Sequence, residues 1–207
     1  MRTIEVETPH GLARIHLHPA GEPQGALILG HGAGGGVSAR DLVAAAEAAR
    51  SIGLAVALVE QPYRVAGRRS PAPAGQLDAA WSAVVEHLRA AELTDVPVVV
   101  GGRSSGARVA CRTAGPAGAA GVLCLAFPLQ PPGRSGKPPS ADRLPELDAV
   151  RVPVLVVQGE RDRFGIPPPG EHRTVVQVKG DHSLRSDPAG VAEAVRAWLP
   201  GVIGHVP

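Results

Sequence analysis

The amino-acid sequence predicts an α/β fold: a mostly parallel sheet of about eight strands, helices on both faces, and an antiparallel hairpin at the N-terminal side. Three observations predict it. Short apolar runs recur along the chain, and most are apolar at every position, as strands covered on both faces must be. Longer segments with apolar residues three and four apart separate them, which is the rhythm of strands alternating with helices. The two runs nearest the N terminus instead alternate polar with apolar, as in a strand pair with one solvated face. With 207 residues the chain is expected to form one domain, residues 1–207, long enough to bury a sizeable core.

Taken in order, residues 3–7 turn Ile4 and Val6 to one side, and residues 13–18 do the same with Ile15 and Leu17; Pro9, His10 and Gly11 join them. The continuous apolar runs follow at 26–30, 54–60, 96–102, 121–127, 152–159 and 174–180. Ser38 is a suitable N-cap for a helix ending at Gly53. Leu77, Trp81, Val84, Val85 and Leu88 make one apolar helical face. Asp187 followed by Pro188 opens a last helix with Val191, Val195 and Leu199 inward. Residues 61–75 and 128–141 are loops rich in Pro and Gly that leave strands at their C-terminal ends. Ligands bind at that edge of open parallel sheets, so both loops are candidates for a site rim as well as for plain connectors.

Composition excludes several classes of function. Hydrophobic residues make up 44% and charged residues 19%, which is neither a disordered nor a fibrous chain. Five aromatic rings are too few for the stacking platforms of single-stranded nucleic-acid binders. A net charge of +2 gives no electrostatic footprint for a polyanion. Nineteen of the 21 basic residues are Arg, and with the excess of Ala, Gly and Pro this matches the codon bias of a GC-rich genome, so the Arg count itself carries little weight. No run reaches the length of a membrane span, and the alternating start lacks a signal-peptide core, so a cytoplasmic protein is expected. Cys111 and Cys124 read as two isolated, buried thiols. His10, His16, His18, His87, His172 and His205 show no metal-ligand spacing, and neither metal nor cofactor is expected.

The signal that carries chemistry is Gly102-Arg103-Ser104-Ser105-Gly106, a G-x-S-x-G directly after one apolar run and before a segment able to start a helix. A strand, a sharp turn and a helix force the middle residue into a strained conformation that projects its side chain, and side chains two residues to either side would clash. A nucleophilic serine needs a general base, and the base needs a carboxylate to hold its tautomer. Asp162 and His182 stand just past the ends of later strands, 58 and then 20 residues on, in the order Ser, acid, His. Glu160 and Asp181 are rivals for the acid. Asp162 is preferred because the turn after Gly159 aims it back at the histidine, whereas Asp181 adjoins His182 and points elsewhere.

Oxyanion donors are also required. The N–H of Ser105 is one candidate, and that of Ala33 in the loop His31-Gly32-Ala33-Gly34-Gly35-Gly36 is the other. A nucleotide site is the competing reading of this Gly-rich loop, with Glu60 as its acid, but the loop lacks the Lys-Ser/Thr of a P-loop and that reading leaves Ser104, Asp162 and His182 unexplained.

Four motifs, HGAGGG, GGRSSGARVA, VPVLVVQGERDRFG and GDHSL, stand in one order, and over residues 26–199 the chain resembles the alpha/beta-hydrolase superfamily. More narrowly it resembles the small, lidless, dienelactone-hydrolase-like branch that includes the KANL3/Tex30-like proteins. The resemblance implies a hydrolase fold and a serine nucleophile, and leaves the substrate open. Members of that group often carry His where this chain has Gln130, so a role of that His does not carry over by resemblance to this position.

Around these residues, His31 is expected to orient the oxyanion loop by hydrogen bonding. Tyr63, Phe127 and Phe164 follow strand ends and are expected to wall a small acyl or leaving-group pocket. Arg103, with Arg64, Arg68, Arg69, Arg161 and Arg163, falls at the same edge, either binding an anionic ester or remaining solvated. The connection at residues 128–151 is only 24 residues long, too short for a large cap, so an open cleft for small ester, thioester or lactone groups is expected. The expectation is therefore a serine hydrolase acting on a small-molecule ester. The alternative is a non-catalytic interaction module on the same scaffold.

Overall fold

The computed structural model describes residues 1–131 and 141–204. Its strands are β1 (Arg2–Thr8), β2 (Gly11–His18), β3 (Ala26–Gly30), β4 (Ala55–Glu60), β5 (Val98–Arg103), β6 (Gly121–Leu125), β7 (Val154–Gly159) and β8 (Arg173–Val178). Its helices are α1 (Arg40–Ser51), α2 (Pro62–Val65), α3 (Ala74–Ala91), α4 (Ser105–Thr113), α5 (Leu144–Asp148) and α6 (Pro188–Ile203). The strands form one sheet in the order β1-β2-β4-β3-β5-β6-β7-β8. β2 runs antiparallel to β1 and to β4, and the remaining pairs are parallel.

Period-two side-chain direction sorts the apolar strands into two cores. Ile28, Val100, Cys124 and Val156 face one layer with Trp81 and Leu88 of α3 and Val109 of α4. Leu27, Leu29, Val99, Leu123 and Leu155 face the other layer with Leu42 of α1 and Val195 and Leu199 of α6. Arg108 and Arg112 on α4 bind Glu146 of α5, and Arg112 also binds Asp78 of α3, tying the helices of the first layer together.

The strands start and stop where backbone chemistry requires. Two apolar runs contain Val-Pro, and β5 and β7 begin just after Pro97 and Pro153, which have no N–H to donate. The proline carbonyls still accept from Ala26 and Val122. β6 ends at Leu125 because Ala126 turns to φ 48°, its N–H bonding Val157. The expected Ser38 cap is corrected: α1 begins at Arg40 after Ala39, with no side-chain cap. Asp187 does cap α6, accepting from the Gly190 N–H at 2.9 Å. The loop at residues 61–75 is partly interior, since it contains α2 and buries Gln61, Pro62 and Tyr63. Residues 132–140 of the second Pro-rich loop, and His205, lie outside the described residues. No cap domain covers the sheet among the described residues, and no helix there is long and apolar enough to cross a membrane.

Cys111 and Cys124 are not isolated. Helix α4 and strand β6 bring their buried sulfurs to 3.5 Å, and the shared hydrogen bond together with burial pushes the Cys124 thiol up.

Candidate active site

After β3 the chain crosses by α1 to β4 on one side, and after β5 it crosses by α4 to β6 on the other. The carboxyl ends of the adjacent strands β3 and β5 therefore mark the topological switch point, the place where open α/β sheets bind ligands. The loops bearing Ala33 and Ser104 leave those two strand ends.

Ser104 connects β5 to α4 with φ 52° and ψ −109°. A positive φ on a residue with a Cβ is strained and needs surrounding structure to hold it. The hold is a hydrogen bond from Ser104 N–H to Leu125 O at 2.9 Å, plus close backbone packing. A Cβ on Gly102 or on Gly106 would come within 2.5 Å of the Gly30 carbonyl oxygen, so only glycine lets the elbow press against β3.

The histidine and acid turns are built against each other. Glu160 N–H bonds Val178 O, and Arg161 N–H bonds Gly180 O at 2.9 Å. A Cβ on Gly159 would meet Asp181 O at 2.4 Å. His182 Nε2 lies 3.0 Å from Ser104 Oγ, and His182 Nδ1 lies 2.8 Å from Asp162 Oδ2. The Asp162 side chain is fully buried, and its other contacts are the Phe164 N–H on Oδ1 at 2.9 Å and Gln158 Nε2 on Oδ2 at 2.7 Å. A carboxylate can only accept, so Nδ1 carries its proton toward Asp162, which leaves the Nε2 lone pair facing the serine hydroxyl. The rival carboxylates turn away: Glu160 is exposed, and exposed Asp181 is engaged by the Ser183 N–H and hydroxyl, which hold it below its ordinary range.

On the β3 side, His31 is buried with Nδ1 at 2.8 Å from Gly32 O, while Nε2 accepts from the Gln61 N–H at 3.1 Å. Burial holds its pKa below the ordinary value, so the ring is neutral and works as a brace between β3, the loop and α2. Tyr63 meets the His31 ring edge-on at 5.6 Å and donates its hydroxyl to Ala33 O at 3.0 Å. Burial pushes that phenol up to about 12. The Ala33 amide has no protein acceptor among the described residues. The Ser105 amide opens α4, where the first turn lacks intrahelical acceptors and carries the positive end of the helix dipole. Gly34 is exposed, and Gly32 lies against Arg103 and Ser104.

The expected pocket walls take other places. Phe127 is fully buried in the core beneath the sheet edge, because the turn at Ala126 sends its ring inward, so it walls no cleft. Tyr63 braces the Gly-rich loop at Ala33 and lines a cavity of about 360 Å³ between α2, α3 and the hairpin turn. Phe164 packs at a tilt against the His182 ring, centroids 4.2 Å apart, and the Arg163 guanidinium lies 5.5 Å from the Phe164 ring centroid. Arg103 does not reach out as a rim charge; it pairs with Asp41 of α1 and donates to His182 O. Among the described residues no cluster of three or more His, Cys, Asp and Glu is placed to hold a metal.

Two site residues escaped sequence reasoning. Gln158 is fully buried and its Nε2 also contacts Phe127 O and Gly165 O, each at 3.0 Å. An amide inside the otherwise apolar run 152–159 was the available signal. Asp41 carried none, since an acid in a first helical turn is ordinary dipole compensation.

The alpha/beta hydrolase domain family matches residues 23–191. No curated protein matches the sequence. Among solved structures, the chain is similar to XC6422 of Xanthomonas campestris, described as a serine hydrolase without lid, with 22% identity over 96% of this chain and 95% of that one and a TM-score of 0.72. It is similar to Est1E of Butyrivibrio proteoclasticus, with 16% identity, coverage of 98% and 99%, and a TM-score of 0.78. An esterase of Pyrobaculum calidifontis shares 16% identity over 98% and 84% of the two chains, with a TM-score of 0.68. The switch point at β3 and β5, the strained serine beside it and the match over residues 23–191 converge: the chain belongs to the alpha/beta hydrolase domain family.

Proposed function

We propose that the protein is a serine hydrolase that cleaves a small ester, thioester or lactone through an acyl-enzyme on Ser104, as the dienelactone-hydrolase-like carboxylic ester hydrolases do. The observation that carries this reading is the unbroken chain from Ser104 Oγ through the His182 ring to the buried Asp162 carboxylate, at 3.0 and 2.8 Å. His182 Nε2 takes the hydroxyl proton as Oγ attacks the carbonyl, and Asp162 stabilises the imidazolium so formed. The N–H groups of Ala33 and Ser105 receive the developing oxyanion. His182 then returns the proton to the leaving group, and water, deprotonated by the same ring, cleaves the acyl-enzyme. The chemistry needs no cofactor.

Among the described residues no cap domain closes over the sheet edge, which favours small or protruding groups over a long acyl chain. The esterase among the structural neighbours supports the same bond class. The cytoplasmic location expected from the sequence remains part of this proposal.

The test is a panel of short acyl esters, thioesters and lactones assayed with wild type and Ser104→Ala. Turnover of at least one class, abolished in Ser104→Ala, is expected. Equal rates in the two proteins across the panel would leave a non-catalytic interaction scaffold as the better account.

A further inference from the structure

Arg103 is the last residue of β5 and the covalent neighbour of Ser104. Its Nε lies 2.9 Å from Asp41 Oδ2, a carboxylate only 1% exposed in the first turn of α1. Its Nη2 donates to the backbone carbonyl of His182 at 3.0 Å. Nη1 stands against Gly32, where a Cβ would come within 2.9 Å of it. One guanidinium thus touches three segments that must agree in position: the Gly-rich loop, α1 and the histidine turn.

The His182 ring is gripped at Nδ1 by Asp162 and, at a tilt, by Phe164, but both grips come from the acid turn. Neither refers the ring to the elbow. The contact from Arg103 to His182 O does, since Arg103 and Ser104 share a peptide bond. Nε and the buried Asp41 carboxylate form a close ion pair without hydrogen-bond alignment, so charge holds the guanidinium in place while its one aligned hydrogen bond goes to His182 O.

We propose that Arg103, anchored on Asp41, is a positioning residue that sets the Ser104–His182 distance by holding the His182 backbone. The proposal rests on the serine-hydrolase reading of the site. It replaces the reading in which Arg103 binds an anionic substrate, because Nε and Nη2 are turned to Asp41 and His182 and Nη1 is packed against Gly32. Misplacing a base by about 1 Å costs about 10²-fold in the chemical step, with little effect on binding.

The experiment measures kcat and KM for Arg103→Ala, Arg103→Lys, Asp41→Asn and the double variant Arg103→Ala/Asp41→Asn. The substrates are 4-nitrophenyl acetate and the negatively charged 4-nitrophenyl hemisuccinate. For Arg103→Ala, kcat is expected to fall about 10- to 100-fold equally on both esters, with KM unchanged within about threefold. Added guanidinium should restore part of that loss, and Arg103→Lys, which cannot span both partners, should fall between. Asp41→Asn should lower kcat less, and the double variant no further than Arg103→Ala, because the two residues act as one unit. If the single Ala variant fails to fold around an unpaired Asp41, the double and Lys variants carry the test. A loss confined to KM for the charged ester, or an unchanged kcat, overturns the proposal. Should wild type hydrolyse no ester, the serine-hydrolase reading falls, and the clamp is judged by a crystal structure of the double variant. A Ser104–His182 separation kept at 3.0 Å there would overturn it, and a displaced or doubled His182 ring would support it.

Discussion

Replacing Asp162 with Asn tests how the acid holds the base. The carboxylate receives three donors: His182 Nδ1 and Gln158 Nε2 on Oδ2, and the Phe164 N–H on Oδ1. An amide of the same shape has one acceptor oxygen. With that oxygen at the Oδ2 position, the His182 and Gln158 bonds survive and the new NH₂ faces the Phe164 N–H. With the amide reversed, the NH₂ faces Gln158 Nε2 and forces His182 to accept at Nδ1, so its proton moves to Nε2 and the ring cannot take a proton from Ser104. Gln158 cannot turn to help, because its Nε2 also meets Phe127 O and Gly165 O. Each orientation leaves one buried donor without an acceptor, so stability should fall by about 1–3 kcal/mol. The correct tautomer still lacks the negative charge that stabilises the imidazolium, about 10- to 100-fold in rate. Molecules in the other tautomer are inactive as a base, which extends the loss toward about 10⁴-fold. The assay is kcat on a short nitrophenyl ester, with urea unfolding on the same preparation. A folded Asp162→Asn protein within about threefold of wild type at pH 7 would refute the reasoning.

Three further expectations follow from the supports around the site. In Gly106→Ala the new Cβ would sit 2.5 Å from Gly30 O and 2.8 Å from His31 O, so overpacking against backbone should cost about 1–3 kcal/mol in urea unfolding; a gain, as helix propensity alone implies, would show that the elbow does not press on β3. Gln158→Leu strips a buried donor from Asp162 and two carbonyls, and should lower stability by about 2–4 kcal/mol; an unchanged unfolding midpoint would mean those acceptors find other donors. Burial keeps His31 neutral and its folded pKa below the ordinary value, so as pH falls the unfolded chain takes up the proton first. Stability from this group is full above the ordinary pKa of 6.5 and is lost as pH falls from there through the lower folded value, at up to about 1.4 kcal/mol per pH unit. His31→Gln should flatten the slope between about pH 7 and pH 5, and an unchanged slope would show that His31 does not titrate with folding.

The layered sheet was legible because its determinants are local and repeated: short continuous apolar runs such as 26–30 and 121–127 alternate with longer helical patterns, the rhythm of strands covered on both faces. The elbow was legible for a related reason. Gly102 and Gly106 mark a backbone approach that no other residue permits, so the motif carries its own geometry. What escaped depends on contacts between distant segments. Phe127 follows a strand end as Phe164 does, yet a positive φ at Ala126 turns one ring into the core while the other packs against His182. Nothing local marks Arg103 as the partner of Asp41, 62 residues away, rather than a solvated charge. The adjacency of Cys111 and Cys124 likewise arises only when α4 folds back on β6.

The central claim is that Ser104 is an activated nucleophile, and the most direct measurement is mass spectrometry after incubation with a fluorophosphonate. The expected result is one phosphonyl adduct on Ser104, absent in Ser104→Ala and strongly slowed in His182→Ala. Well-folded wild type that stays unlabelled, or an adduct on another residue, would contradict the account.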